Sequence, residues 1–231
     1  MKEKKALMIV HQKRSSTGDV GYKLKQRGYQ LDVKRPVFGE TLPDNMDNHD
    51  LAVIYGGPPS ANDNLDYIKY ETEWINTVLK FNKPFLGICL GAQMLANNLG
   101  GSVQRAPDKS FEIGFYDIYP VKKGLKLFQG QKTFFQWHKE GFSAPSSCEL
   151  LATGDIFQEQ AFQYKNAYGI QFHPEVNSKM HLKWLYYAGY MLREKGAQKK
   201  MCQLNLRVKH GKKINMWLDY FLDNYLLKKN L

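Results

Sequence analysis

The sequence predicts an α/β fold built on a mostly parallel sheet. Three observations carry that expectation. The first half alternates short apolar, β-like runs with amphipathic helical stretches, an order that winds into a parallel sheet with right-handed crossovers. The run at 51–55 is nearly all apolar, as a strand covered on both faces should be. At 231 residues, 43% of them hydrophobic, the chain can bury the core of one α/β domain but not of two large ones.

The elements follow in order. Residues 6–10 read as a first strand. Residues 18–27 suit a helix, with Val20 and Leu24 four apart and Gly28 placed to end it. Residues 29–33 alternate apolar and polar positions as a second strand, and 51–55 form the third. A helix over 66–81 puts Ile68, Ile75 and Leu79 on a shared face, and Pro84 then opens a short strand at 85–88. Helix 91–99 stops at Gly100-Gly101. The second half is richer in strands: 115–121, 133–137, 157–164 and 168–172, the last two joined as a hairpin through Lys165-Asn166-Ala167. Helix 178–194 carries Met180, Trp184, Tyr187 and Met191 at spacings of four, three and four. A basic, glycine-punctuated connection over 196–213 leads to a last helix, where Ile214, Trp217, Leu218, Phe221, Leu222 and Tyr225 make one apolar stripe that packs on the body. The chain therefore divides into a domain over 1–194 and a basic helical C-terminal extension over 195–231.

Composition narrows the setting. Mean hydropathy is −0.52, and no stretch approaches the roughly 18 uninterrupted apolar residues of a membrane span. The charged start Met1-Lys2-Glu3-Lys4-Lys5 resembles a signal n-region, but the apolar run after it is too short and meets His11, Gln12, Lys13 and Arg14. A cytoplasmic protein without a membrane partner is expected. Three cysteines, Cys89, Cys148 and Cys202, form no Cys-x-x-Cys pair and have no zinc-ligand spacing, so neither a disulfide framework nor a metal is expected, and free thiols fit a reducing compartment. Net charge is +11, and the segment 193–231 holds a local balance of +7. A polyanion-binding patch would have this charge, but no nucleic-acid motif accompanies it. A solvated helix face is the simpler reading.

One segment carries chemistry. Gly87-Ile88-Cys89-Leu90-Gly91 lies where a buried strand turns sharply into a helix, the geometry of a nucleophile elbow. Such an elbow exposes Cys89 at the C-terminal edge of the sheet, with the dipole of the following helix favouring a thiolate there. A thiolate that attacks an amide needs an acid for the leaving amine. His173, in Gly169-Ile170-Gln171-Phe172-His173-Pro174-Glu175, directly follows a strand and can reach the same edge. Glu175, two residues on, can hold the imidazole and stabilise its charged form. The backbone N–H of Leu90 supplies one oxyanion donor. Gly56-Gly57-Pro58-Pro59 follows the third strand and lets a second amide, that of Gly57, approach a ligand closely.

Three separated motifs, Gly87 to Gln93 (GICLGAQ), Gly56-Gly57-Pro58 and His173-Pro174-Glu175, resemble the class I, triad-type glutamine amidotransferase domain over about residues 4–192. Gln136-Trp137-His138, leading into Phe142 and then Leu150-Leu151-Ala152, looks like the glutaminase portion of GMP synthase and its stand-alone relatives. The resemblance implies a flavodoxin-like sheet with helices on both faces, no cofactor, and hydrolysis of glutamine to glutamate and ammonia through a thioester. By position it makes Cys89 the nucleophile, His173 the acid/base, Glu175 its orienter, and Gly57 and Leu90 the oxyanion amides. Gln93, His138 and Glu140 become substrate contacts, and Gln93 is also one helical turn from Cys89 on the same face. Relatives often carry Asp where this chain has Glu140, one methylene longer. A γ-glutamyl peptide or conjugate therefore remains open as the substrate beside glutamine. Ammonia delivery in this family implies a partner, a separate synthetase subunit, because the residues after Glu194 are too few for an ATP-using domain and no Walker-type loop is present. A third reading, a catalytically idle regulatory protein binding through its basic extension, also stays open.

Overall fold

The computed structural model describes residues 3–228; Met1 and Lys2 of the charged start and residues 229–231 of the basic extension lie outside the described residues. In chain order the strands are β1 (Lys4–Ile9), β2 (Tyr29–Lys34), β3 (Leu51–Ile54), β4 (Phe85–Ile88), β5 (Ser102–Arg105), β6 (Glu112–Asp117), β7 (Tyr119–Pro120), β8 (Thr133–His138), β9 (Glu140–Ser143), β10 (Glu149–Thr153), β11 (Ala161–Tyr164) and β12 (Ala167–Ile170). The helices are α1 (Gly18–Gln26), α2 (Asp66–Lys80), α3 (Leu90–Asn98), α4 (Gly124–Phe128), α5 (Ser178–Tyr187) and α6 (Lys200–Phe221).

Eight strands form one sheet in the order β2-β1-β3-β4-β12-β11-β10-β7. The first five are parallel and the last three are added antiparallel. This is the flavodoxin-like winding expected from the sequence, a fold in which ligands generally bind at the C-terminal ends of the parallel strands. Alternation along β1 divides the interior: Ala6, Met8 and Val10 pack with α1 and α6 on one face, and Leu7 and Ile9 pack with α2 and α3 on the other. All four residues of β3 are buried, as a strand covered on both faces requires. Two antiparallel ribbons, β5–β9 and β6–β8, stand beside the main sheet.

Four of the expected elements differ in the structure, and β5, β9, β10 and α4 were not expected at all. The expected strand 115–121 is two pieces in different sheets, separated at buried Ile118. The expected strand 157–164 is regular only from Ala161, because Gln160 turns its side chain inward to bond Glu112, Gln136 and the Phe157 carbonyl. The helix at 178–194 ends at Tyr187 and continues as a 3-10 turn over Gly189–Arg193. The connection 196–213 is mostly helix: α6 starts at Lys200 and runs for 22 residues.

The α6 stripe packs inward as expected. Ile214, Trp217, Leu218, Phe221 and Leu222 join the core cluster beneath α1 and α4. Trp217 stacks on Phe128, meets Phe134 and Phe172 edge-on, and donates from Nε1 to the Leu127 carbonyl at 3.1 Å. Truncating such a side chain costs about 3–5 kcal/mol. None of the described helices is long and apolar enough to cross a membrane.

Candidate active site

Four chain segments leave the parallel strands at one edge, and each brings a polar group there. The first is the elbow between β4 and α3. Cys89 adopts φ +50° and ψ −105°, a conformation that side-chain-bearing residues rarely take. Its N–H donates to the Ile170 carbonyl at 2.8 Å and its carbonyl accepts from Gln93 N–H at 3.0 Å, so the strained residue is held from both sides. The flanking glycines are sterically required. A Cβ on Gly87 would lie 2.5 Å from the Gly91 carbonyl oxygen, and one on Gly91 would lie 2.2 Å from that of Ile54. Leu90 is the first residue of α3, so its N–H has no intrahelical acceptor.

The second group follows β12. His173 donates its backbone N–H to the Phe135 carbonyl at 2.8 Å, and its Nδ1 bonds Glu175 Oε1 at 2.8 Å, with both side chains buried. The Trp184 ring packs edge-on against the imidazole, 5.0 Å between centres. Burial alone would disfavour a charged ring, but the charges of Glu175 and Cys89 outweigh it, and the imidazole pKa is raised from 6.5 to about 10. Among the described residues no partner meets hydrogen-bond geometry at the buried Nε2, although Cys89 is near enough to the ring to help raise its pKa. Burial first, then the Glu175 charge, pushes the Tyr55 phenol well above its ordinary range.

The third segment, Gly56-Gly57, follows β3. A Cβ on Gly56 would sit 2.7 Å from His173 Cε1 and 3.3 Å from Cys89 Cβ, so the loop backbone closes directly over both side chains. The fourth is His11, just after β1. Its Nε2 meets Glu71 Oε2 at 2.7 Å and its Nδ1 meets the Gly56 carbonyl at 3.2 Å.

Gln93, His138 and Glu140 are also brought together. Gln93 donates from Nε2 to the Glu140 carbonyl at 2.7 Å and to Gln171 Oε1 at 3.3 Å. His138 Nδ1 meets the same carbonyl at 2.9 Å, while its Nε2 faces Gln136 Oε1 at 3.1 Å and Glu112 Oε2 at 2.9 Å. Gln93 and His138 thus fix the backbone of the 138–140 turn through one shared oxygen. The Glu140 carboxylate lies 4.0 Å from Arg105 Nε, its register partner across β5–β9.

Sequence reasoning did not single out His11, Glu71, Arg105, Trp184 or the buried Glu112–Gln136–Gln160 network. His11 carried a usable signal, since it directly follows a strand, as His173 does. Arg105 and Glu112 became visible only through strand pairing. Among the described residues no group of three or more His, Cys, Asp or Glu side chains is arranged to hold a metal ion.

An elbow cysteine thus lies beside a carboxylate-bound histidine at the C-terminal edge of a flavodoxin-like sheet. The family model described as "Glutamine amidotransferase class-I" matches residues 15–189, and the chain belongs to that family of enzymes. Among curated relatives, it is 32% identical over 178 residues to the glutamine amidotransferase-like protein YfeJ of Salmonella typhimurium, covering 72% of this chain and 74% of that one. It is also 36% identical over 131 residues to a glutamine-hydrolysing GMP synthase subunit from Methanococcus aeolicus, covering 54% of this chain and 64% of that one. A solved glutamine amidotransferase from Thermotoga maritima superposes with a TM-score of 0.88 at 28% identity, covering 98% of this chain and 99% of that chain.

Proposed function

We propose that the chain hydrolyses the side-chain amide of glutamine to glutamate and ammonia through a thioester at Cys89. The observation that carries this reading is the joint placement of Cys89 and the His173–Glu175 pair around Gly56 at one sheet edge. In this reaction the Cys89 sulfur attacks the amide carbon, and the carbonyl oxygen takes up negative charge between the Gly57 and Leu90 amides. His173 gives the Nε2 proton to the departing nitrogen, and ammonia leaves. The imidazole then accepts a proton from water as the water attacks the thioester, releasing glutamate and the thiol. Glu175 holds the ring through Nδ1 and stabilises its charged form throughout. Gln93 and His138 set the wall of the substrate pocket by fixing the Glu140 backbone, and the Glu140 carboxylate faces the α-amino end of the substrate.

Cys89→Ala is expected to abolish glutamate release from glutamine while leaving the circular dichroism spectrum and melting transition of a folded protein. Release at the wild-type rate from that variant would overturn the reading.

The Glu140–Arg105 contact favours one further possibility for the substrate. A carboxylate and a guanidinium at the rim offer partners to both ends of a peptide-like backbone, which suits a γ-glutamyl peptide or conjugate. Comparing kcat/KM for glutamine with that for γ-glutamyl amides and dipeptides separates the two. Relatives named as GMP synthase subunits support ammonia delivery to a separate synthetase partner, and co-purification with such a partner tests it.

A further inference from the structure

We propose that His11, held by Glu71, is a positioning residue that fixes the Gly56–Gly57 peptide with the Gly57 N–H directed at the Cys89 side. This deepens the reading above, since it rests on Gly57 acting as an oxyanion donor.

The argument begins with two fully buried side chains that the reaction itself does not use. His11 and Glu71 share a 2.7 Å contact between Nε2 and Oε2, and neither side chain has any exposure to solvent. The other ring nitrogen, Nδ1, is 3.2 Å from the Gly56 carbonyl oxygen. A carbonyl can only accept, so Nδ1 is the donor in that bond. The ring is thereby held in plane from both ends.

That bond orients a peptide. No peptide bond is cis among the described residues, so the Gly56 carbonyl and the Gly57 N–H point in opposite directions. The strand order β1-β3-β4 puts the end of β3 between the end of β1, which carries His11, and the end of β4, which carries Cys89. A Gly56 carbonyl drawn toward His11 therefore sends the Gly57 N–H toward Cys89. No hydrogen bond from that N–H is formed with any described residue, which leaves it available to a ligand.

The two glycines serve the same arrangement on opposite faces. A Cβ on Gly57 would come within 2.8–3.0 Å of His11 Cβ, Cγ and Nδ1, so the Gly57 backbone lies flat on the histidine. A Cβ on Gly56 would intrude on His173 and Cys89. Glycine residues turn over easily, and this peptide has one on each side. Without His11 it is free to present its carbonyl to the site, where a developing oxyanion would be repelled. With His11 in place, the turned-over state leaves a buried donor unpaired.

The test uses two substitutions at His11. His11→Phe keeps a flat ring and removes the donor, while His11→Gln keeps a donor of similar reach. In the crystal structure of His11→Phe, the Gly56–Gly57 peptide is expected to be rotated or present in two orientations. A single wild-type orientation would overturn the inference. For glutamine hydrolysis, kcat of His11→Phe should fall about 100- to 1,000-fold, the loss that follows removal of one oxyanion donor, with KM within about threefold. His11→Gln should recover most of it.

Alkylation of Cys89 by iodoacetamide, a displacement that forms no oxyanion, should proceed at the wild-type rate in both variants. Equal losses in both variants, or a parallel loss of alkylation, would assign His11 a general structural role instead. If His11→Phe does not fold, Glu71→Leu carries the test, with a kcat loss of at least about tenfold expected and an unchanged kcat refuting the idea. Should the wild-type enzyme turn over neither glutamine nor γ-glutamyl amides, the proposed reaction fails, and the peptide orientation in the variant crystal still decides this inference.

Discussion

At the scale of single residues, the site is a place where local preference yields to position. Cys89 accepts a backbone conformation costing about 1–3 kcal/mol in a turn so tight that only glycine fits at positions 87 and 91. His173 is buried beside Glu175 and Cys89 and holds its proton more tightly than a free histidine does. Its pKa is higher folded than unfolded, so its contribution to stability is complete below 6.5 and is lost as pH rises toward about 10. We expect denaturant melts at pH 6.5, 8 and 10 to show the stability gap between wild type and His173→Gln narrowing by more than about 1 kcal/mol. A gap that stays constant or widens with pH would mean that His173 is not held as the charged ring. These residues were also the most legible in the sequence. Cys89, His173 and Glu175 stand in short motifs at strand ends, and strand ends are what periodicity locates well. His11 obeyed the same rule without a motif around it, and only its contact with the Gly56 carbonyl shows what it touches.

At the scale of elements, apolar periodicity found the longer apolar runs of the first half and missed short elements such as α4 and β10. β1, β3, β4 and α2 lie within a residue or two of their expected bounds. It missed the first half of α6, because that face is buried through Gln203 and Arg207. Gln203 bonds His181 and the Gln198 carbonyl, while Arg207 lies over the rings of Phe115 and Phe135. The glycine at 211 and the surrounding lysines then made the segment read as a connection. Gly211 needs no special conformation, and a Cβ there would make only ordinary contact, 3.4 Å from Arg207 Cδ. Gly211→Ala is accordingly expected to stabilise the protein by about 0.5–1 kcal/mol. Gly91→Ala, which would drive a methyl into the Ile54 carbonyl of β3, should destabilise it by about 1–3 kcal/mol or prevent folding. Thermal unfolding of the two variants beside wild type reads both signs at once. A destabilising Gly211→Ala would mean that the helix is not regular at that point.

At the scale of the whole molecule, the segment beyond the family match at residue 189 is tied into the same interior as the central sheet. Lys23 of α1 and Arg27 just past its end pair with Asp219 and Asp223 near the end of α6, but the two carboxylates are half exposed, so these ion pairs contribute little. Apolar burial decides the matter. Ile214, Trp217, Leu218, Phe221, Leu222 and Leu226 are each at most 4% exposed within the core cluster that also holds Met8, Val20 and Phe172. Burying a large apolar side chain is worth about 1.5–3 kcal/mol, which puts these six near the whole net stability of an ordinary domain, about 5–15 kcal/mol. Sequence alone placed the stripe on the body but not its depth, because the partners of Trp217, namely Phe128, Phe134 and Phe172, come from segments about 45–90 residues away in sequence. A chain ending at residue 198 is therefore expected to lack a cooperative melting transition and to expose dye-binding apolar surface. Trp217→Ala in the full chain should remain folded with about 3–5 kcal/mol less stability. Cooperative unfolding of the shortened chain within a few degrees of wild type would show that residues 199–231 are an appendage and that the central sheet closes its core without them.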